Sequence, residues 1–498
     1  MLTRRKALQS MAAAPLFPAQ SAVKTNFLFI IADDHAGYVL GCDGNKLAET
    51  PNLDRLASEG ARFARHHCNQ PVCTPSRQSL LTGQMPSMAG VTVLKTALDA
   101  AKPTLAKQFQ KAGYRTAVFG KMHFNVPSKP GLHGFDTMMT EQDINREWRK
   151  QPVSKPVKES AANKPPWQPF KDPSRIWLNA DSKPFPRYYE DMRGTFTARQ
   201  AQEYLQEKSD KPFALWVSFP EPHSPFDFPI DWASKYPKSA FTAPRIGPED
   251  AWQIPLIFRD LSNEDRQGII ASYYTSVNYL DRNIGAVLNT LREQGLEQNT
   301  CVVYLADHGY MLGHHGRIEK HCCYDQALRV PLIIRWPGRI KKGITVNSFT
   351  EHIDVAPTIV DLLELEKLPI QHGQSLRPYL EGSKPAAERN HIFSQYLENE
   401  EACVRTDRWK FIQCSGQRKR TDGYETDKPA PGRYIRLYDL KADPGEFTDV
   451  AAKHPAVVDT MRGLILSRYR ATHPEAALEP KGLAASDAVD FYLRPRDA

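Results

Sequence analysis

Asn26-Phe-Leu-Phe-Ile-Ile-Ala32 runs into Asp33-Asp34-His35, and Cys301-Val-Val-Tyr-Leu-Ala306 runs into Asp307-His308-Gly309. Two more apolar runs stop in the same way. Tyr114-Arg-Thr-Ala-Val-Phe119 leads through Gly120 to Lys121-Met122-His123, and Phe213-Ala-Leu-Trp-Val-Ser-Phe219 leads through Pro220 to His223. Apolar runs without alternation are the mark of strands buried on both faces. Helical patterns lie between them, at 52–65, 104–112 and 272–293. Strands alternating with helices predict an α/β fold with a large, mostly parallel sheet flanked by helices. Ligands of such sheets bind outside the carboxyl ends of the strands, so the four polar endings are expected to meet in one cleft.

The composition is that of a globular protein: 498 residues, 41% hydrophobic and 24% charged. This excludes a small binding module, a disordered chain and a membrane-embedded one. Lys and Arg total 65 against 57 Asp and Glu, a formal charge of +8. Such a surplus can steer anions towards a cleft but is too thinly spread to indicate nucleic acid. Residues 1–22 combine Arg4-Arg5-Lys6, a short apolar run and a small-residue stretch near Ala22, the layout of an export signal, with paired arginines suggesting the twin-arginine type. No later stretch approaches the ~20 apolar residues of a spanning helix, so a periplasmic or extracellular protein without a transmembrane anchor is expected. The cysteines show no CxxC spacing, which argues against structural zinc. In an exported chain Cys403 and Cys414 are candidates for a bridge between neighbouring strands, with connectivity left open.

Taken singly, each strand ending has a plain reading: Asp33-Asp34 can cap a helix, and a lone histidine or lysine is usually solvated. Together they are harder to read as surface. Asp33, Asp34 and Asp307 offer hard oxygen ligands suited to Ca²⁺ or Mg²⁺, and three converging carboxylates call for a cation. Lys121, His123, His223 and the later Lys320 add positive charge or hydrogen-bond donors. A divalent metal ringed by such groups suits a sulfuryl or phosphoryl centre.

Between the first strand and Lys121 lies Cys73-Thr74-Pro75-Ser76-Arg77, followed by Leu81-Thr82-Gly83. By itself Cys73 reads as a small buried hydrophobe or as a thiolate nucleophile whose pKa Arg77 lowers. The wider pattern resembles the type I, formylglycine-dependent sulfatases of the alkaline phosphatase-like superfamily. Its elements are Asp33-Asp34, Thr50-Pro51-Asn52-Leu53-Asp54-Arg55-Leu56, Cys73-x-Pro75-Ser76-Arg77, Gly120-Lys121-x-His123, Pro222-His223-x-Pro225, Asp307-His308-Gly309, Lys320 and Arg329-Val330-Pro331. Leu437-Tyr438-Asp439-Leu440 and Asp443-Pro444-x-Glu446 extend the likeness towards the C-terminus.

The resemblance implies that Cys73 is converted to formylglycine by a formylglycine-generating enzyme and hydrated to a geminal diol. One hydroxyl, held near Arg77, attacks sulfur, and the second then expels sulfate with His123 as general base. It assigns Ca²⁺, with Mg²⁺ as substitute, to Asp33, Asp34, the modified Cys73, Asp307 and position 308. Many relatives carry Asn at that position; here it is His308, a less usual Ca²⁺ ligand. Lys121, His223 and Lys320 would bind the sulfate oxygens, with His223 or Lys320 assisting the leaving alcohol. His315 would face the substrate and His314 would pack or be solvated.

The expected organisation is a catalytic domain over 23–380 and a smaller α+β subdomain over 381–498, its antiparallel strands near 392–396, 401–405, 410–413 and 434–438, followed by a helix from Pro455 to Tyr469. A proline-rich insertion at 151–190, carrying Trp167, Trp177, Tyr188 and Tyr189, should lie at the cleft mouth. Aromatic rings with basic neighbours suit a sulfated carbohydrate. A choline sulfate-like or aryl sulfate substrate, phosphonate or phosphate-diester hydrolysis, and a catalytically dead binding protein are the alternatives.

Overall fold

A computed structural model describes residues 24–157, 177–233, 235–417, 423–426 and 433–497. The expected export signal and Trp167 lie outside them. Among the described residues the strands, in chain order, are β1 (Asn26–Ala32), β2 (Ala61–Phe63), β3 (His66–His67), β4 (Arg115–Gly120), β5 (Thr137–Thr140), β6 (Phe213–Ser218), β7 (Thr300–Ala306), β8 (Leu332–Arg335), β9 (Ile344–Val346), β10 (Thr350–Glu351), β11 (Ile392–Tyr396), β12 (Glu401–Arg405), β13 (Trp409–Cys414) and β14 (Tyr434–Asp439). Eight form one sheet in the order β5-β4-β6-β1-β7-β8-β2-β9. Within it β5, β4, β6, β1 and β7 are mutually parallel, and β8 runs against both neighbours.

Alternate residues of β1 explain the sheet's position in the core. Phe27, Phe29 and Ile31 pack with Phe109, Trp216 and Leu305 on one face, while Leu28, Ile30 and Ala32 pack with Ala198, Leu280 and Ile284 on the other. The helices Arg193–Gln206 and Asn263–Glu293 cover the second face. The latter starts earlier than the 272 expected, at a capping box in which Ser262 accepts from the Asp265 N–H. The helix expected over 52–65 ends at Glu59. Gly60 follows it, and a Cβ there would come within 2.4 Å of the Ile334 carbonyl, so the chain runs directly against β8 and continues as β2.

Register decides where the site lies. Ala32 is level with Ala306, Ile31 with Ser218, and Gly120 with Ser218. Asp33, Asp307, Lys121 and the Phe219–His223 loop therefore leave the sheet at a single height.

A second sheet, β11-β12-β13-β14, is antiparallel and packs against the helices Pro455–Thr472 and Ala485–Leu493. Within it Cys403 faces Ile412 and Cys414 faces Glu401. The two cysteines are thus offset by a diagonal, too wide for a bridge, and all eight cysteines are free.

Candidate active site

Cys73 is the first residue of the helix Cys73–Thr82, every residue of which is buried. The helix points its N-terminus at the carboxyl edge of β1 and β7. Oxygen atoms of Asp33 and Asp34, the Cys73 sulfur and a His308 ring nitrogen all lie within 4.8 Å of one another. His308 spans two of them, with Nε2 3.1 Å from Cys73 Sγ and Nδ1 3.1 Å from Asp34 Oδ1. Asp307 lies beside this group with its oxygens engaged. Oδ1 accepts the Asp34 and His308 backbone N–H groups at 3.1 and 2.9 Å, and Oδ2 accepts Arg77 Nε at 2.8 Å.

Three cations hold the carboxylates. Lys121 Nζ donates to Asp33 Oδ2 and lies 4.0 Å from Cys73 Sγ. Lys320 Nζ lies 3.0 Å from both oxygens of Asp34. Arg77, 1% exposed, binds Asp307, donates from Nη1 to Ser218 Oγ at 2.7 Å, and has Nη2 3.5 Å from Asp33 Oδ1. The three side-chain charges offset the carboxylates' repulsion only in part: burial, with the neighbouring carboxylates, still pushes Asp34 well up and Asp307 up to about 7, against the pull of Lys320 and Arg77. Burial opposes the charge on Asp33, yet Lys121, with Arg77 and Lys320, holds its carboxyl well below the usual range.

The same surroundings act on the other groups with opposite sign. Burial pushes the Cys73 thiol well up, against the pull of Lys121 and Lys320, and Arg77 is turned towards Asp307 and Ser218. A plain thiolate nucleophile is thereby disfavoured. Burial, reinforced by Lys121, also lowers His123 and His223, and burial with Lys320 lowers His308. All three are neutral imidazoles at pH 7, able to accept a proton. His223 Nε2 is 3.8 Å from Asp34, and His123 Nε2 is 3.9 Å from Glu141.

The donor set fits a divalent cation. Asp33 Oδ1 is buried without a hydrogen-bond partner among the described residues, and it belongs to the carboxylate whose charge is best maintained. His308, the less expected ligand, stands inside the group, while Asp307 stands beside it as a hydrogen-bonded brace. His315 is not brought to the group. It is 1% exposed, has Nδ1 2.9 Å from Asp250 and stacks on Tyr324 at 3.9 Å between ring centroids. The left-handed backbone at His315, φ 56°, turns it into this packing. His314 packs edge-on against Tyr38.

Other residues join the site without having been singled out. Ser218 ends β6 and accepts from Arg77; a polar residue closing an apolar run was the available signal. Glu141 accepts the Met122 N–H at 3.1 Å, and Ser76 Oγ donates to the Asp307 carbonyl while its oxygen lies 3.0 Å from His352 Nδ1. Glu141 has no signal in one sequence, whereas Ser76 already belongs to the Cys73-x-Pro75-Ser76-Arg77 motif. Beside Lys121 and His223 opens a cavity of about 620 Å³, walled by Trp148, Trp177, Phe185, Arg193 and Glu221 among others. The end of the proline-rich insertion thus contributes to its wall.

The comparisons agree with this geometry. The family model described as Sulfatase matches residues 25–365, and that described as N-sulphoglucosamine sulphohydrolase, C-terminal, matches 313–467. An N-acetylglucosamine-6-O-sulfatase of Bacteroides thetaiotaomicron is 27% identical, over 86% of this chain and 83% of its own. A choline-sulfatase of Rhizobium meliloti is 28% identical, over 90% and 87%. Among solved structures, a phosphonate monoester hydrolase of Agrobacterium radiobacter superposes with a TM-score of 0.76 at 25% identity, covering 92% of this chain and 97% of its own. With a matched family model over most of its length and a buried cysteine, carboxylate and histidine cluster at the sheet edge, this chain belongs to the sulfatase family of enzymes.

Proposed function

We propose that the protein hydrolyses sulfate esters of carbohydrates, releasing inorganic sulfate, with residue 73 acting as formylglycine and a bound Ca²⁺. The observation that carries this is the meeting of Cys73 with Asp33, Asp34 and His308 under the ammonium groups of Lys121 and Lys320. Asp33, Asp34, residue 73 and His308 would hold the cation, with Asp307 bracing them, and the cation would supply positive charge to the ester oxygens. Formylglycine at residue 73 would supply a hydrated aldehyde, one hydroxyl of which attacks sulfur.

This chain's own residues do the rest. Lys121 and Lys320 stay protonated, because Asp33 and Asp34 outweigh the opposing effect of burial, and bind the non-bridging sulfate oxygens. As charge grows on those oxygens in the transition state, the two ammonium groups bind more tightly. His223, at the rim of the cavity, faces the leaving alcohol, and His123 accepts the proton that releases sulfate. Arg77 fixes Asp307 and Asp33 relative to the N-terminus of the helix that carries residue 73.

A carbohydrate is favoured by the aromatic wall of the cavity and by the N-acetylglucosamine-6-O-sulfatase relative. We also propose that the chain is exported after maturation by a formylglycine-generating enzyme, from its Arg4-Arg5 terminus. No helix among the described residues is long and apolar enough to cross a membrane. The division near 381, and a specificity role for 151–190, belong to the same reading. A screen of defined sulfated mono- and disaccharides against matured protein tests the substrate class; turnover confined to small non-sugar sulfates would contradict it. A second reading, phosphonate monoester hydrolysis, draws on the likeness to the Agrobacterium enzyme. Faster cleavage of an aryl phosphonate monoester than of the matching aryl sulfate would replace the first reading with the second.

A further inference from the structure

One basic side chain in the cavity wall has no part in the proposed chemistry. The helix Glu141–Arg149 starts at a capping box made by Thr140 and Asp143. Its residues Glu141, Asn145, Trp148 and Arg149, spaced to share one helical face, all line the cavity that holds Lys121 and His223. The face is anchored at the chemistry end, where Glu141 accepts the Met122 N–H at 3.1 Å and lies 3.9 Å from His123. Arg149, at the other end of the helix, stands about 12 Å further along the axis. It is exposed and has no ion pair or hydrogen bond among the described residues. Arg146, off this face, is by contrast paired with Asp143 and Glu147 at 2.8 and 3.0 Å. The other cations of the wall are engaged as well. Lys121 donates to Asp33, and Arg193 donates to Asn145 Oδ1 at 3.2 Å and partly offsets the buried carboxyls of Glu221 and Asp227.

We propose that Arg149 binds a second acidic group of the substrate, a carboxylate or sulfate on the sugar next to the sulfated one. This rests on the carbohydrate sulfatase reading and deepens it. An ester whose sulfate is held by Lys121 extends its alcohol part along the helix face that ends at Arg149. Between the two stands Trp148, fixed by donation from Nε1 to the Asp191 carbonyl at 2.7 Å and with its ring centroid 6.1 Å from that of Phe185. These rings give a second sugar an apolar wall. The separation exceeds a single sugar ring, which puts the second charge on the neighbour. A guanidinium presents a planar fork that takes carboxylate or sulfate oxygens in pairs.

The test uses a sulfated disaccharide in three matched forms, its second sugar carrying a carboxylate, a sulfate or no charge, with 4-methylumbelliferyl sulfate as reference ester. The wild type should prefer a charged form to the neutral one. In Arg149→Gln the ratio of kcat/KM for that charged form to kcat/KM for the reference should fall by roughly tenfold or more, while Arg146→Gln leaves it at the wild-type value. The ratio is independent of how much protein is matured or folded, and the charged form that loses more identifies the acid. A ratio unchanged in Arg149→Gln, with the disaccharides still turned over, overturns the inference, leaves Arg149 as a cation complementing the helix C-terminus, and lets the carbohydrate reading stand. Turnover of 4-methylumbelliferyl sulfate with no sugar sulfate cleaved overturns both.

Discussion

Two buried ionic clusters, one at the edge of the large sheet and one where the second sheet meets it, are built from the same residue types and differ in what they leave open. In the second, both oxygens of Glu351 are fully engaged. Arg468 donates to them at 2.8 and 3.1 Å, Asn69 at 3.1 Å and the Phe393 N–H at 2.8 Å, while Arg389 binds Asp354 at 2.6 Å. In the first, Asp33 Oδ1 and Arg77 Nη2 face each other at 3.5 Å as an ion pair without a hydrogen bond, and His123 Nδ1 has no hydrogen-bond partner among the described residues. A buried carboxylate saturated with donors holds elements in place, even though Arg389 Nε beside it has no partner among the described residues. An unsaturated one costs stability and is retained where a ligand completes it.

The contrast can be broken first at its strongest point. Cys73→Ala should lower sulfate release by roughly a thousandfold or more, with the thermal midpoint within a few degrees of wild type, because the helix packs through its other buried residues. A large loss of stability would make residue 73 a core residue. The Glu351 cluster should behave in the opposite way under acid. Burial disfavours the Glu351 charge, but Arg389 and Arg468 outweigh it and bring its pKa to about 2, against an ordinary value of 4.5. Its contribution is therefore present above pH 4.5 and is lost as pH falls towards 2, on the order of 3 kcal/mol. Denaturant titrations across that window would detect it; stability flat with pH would contradict it.

Arg468→Leu should then cost about 2 kcal/mol, measured by denaturant midpoint, while kcat per folded molecule stays near wild type. An activity loss exceeding the stability loss would tie this seam to the site. The smallest effect is expected for His308→Asn, which exchanges one neutral donor for a harder one. The half-saturating Ca²⁺ concentration should change by less than about tenfold, read by calcium titration of the thermal midpoint. Complete loss of calcium response would give His308 a larger part than a single ligand.

Four of the eight strands of the large sheet, β1, β4, β6 and β7, were readable because they are buried on both faces and so appear as unbroken apolar runs; β1 begins at Asn26 and ends at Ala32, as read, whereas the short, partly exposed β5 and β9 show no such run. The helix carrying Cys73 was not readable as a helix. All its residues are buried, most of them polar, so it has no solvent-exposed face and shows no 3.6-residue apolar stripe. Its chemistry was legible only through the spacing of Cys73, Pro75, Ser76 and Arg77. His315 shows the reverse limit: its motif was visible, but one residue with positive φ turned it into the Tyr324 stack.

The most direct test is mass spectrometry of the peptide containing residue 73, isolated from protein whose sulfate release has been measured and trapped with a carbonyl reagent. An aldehyde at residue 73, in a fraction that tracks specific activity, is the expected result. A fully active protein carrying only the cysteine thiol would contradict the formylglycine mechanism.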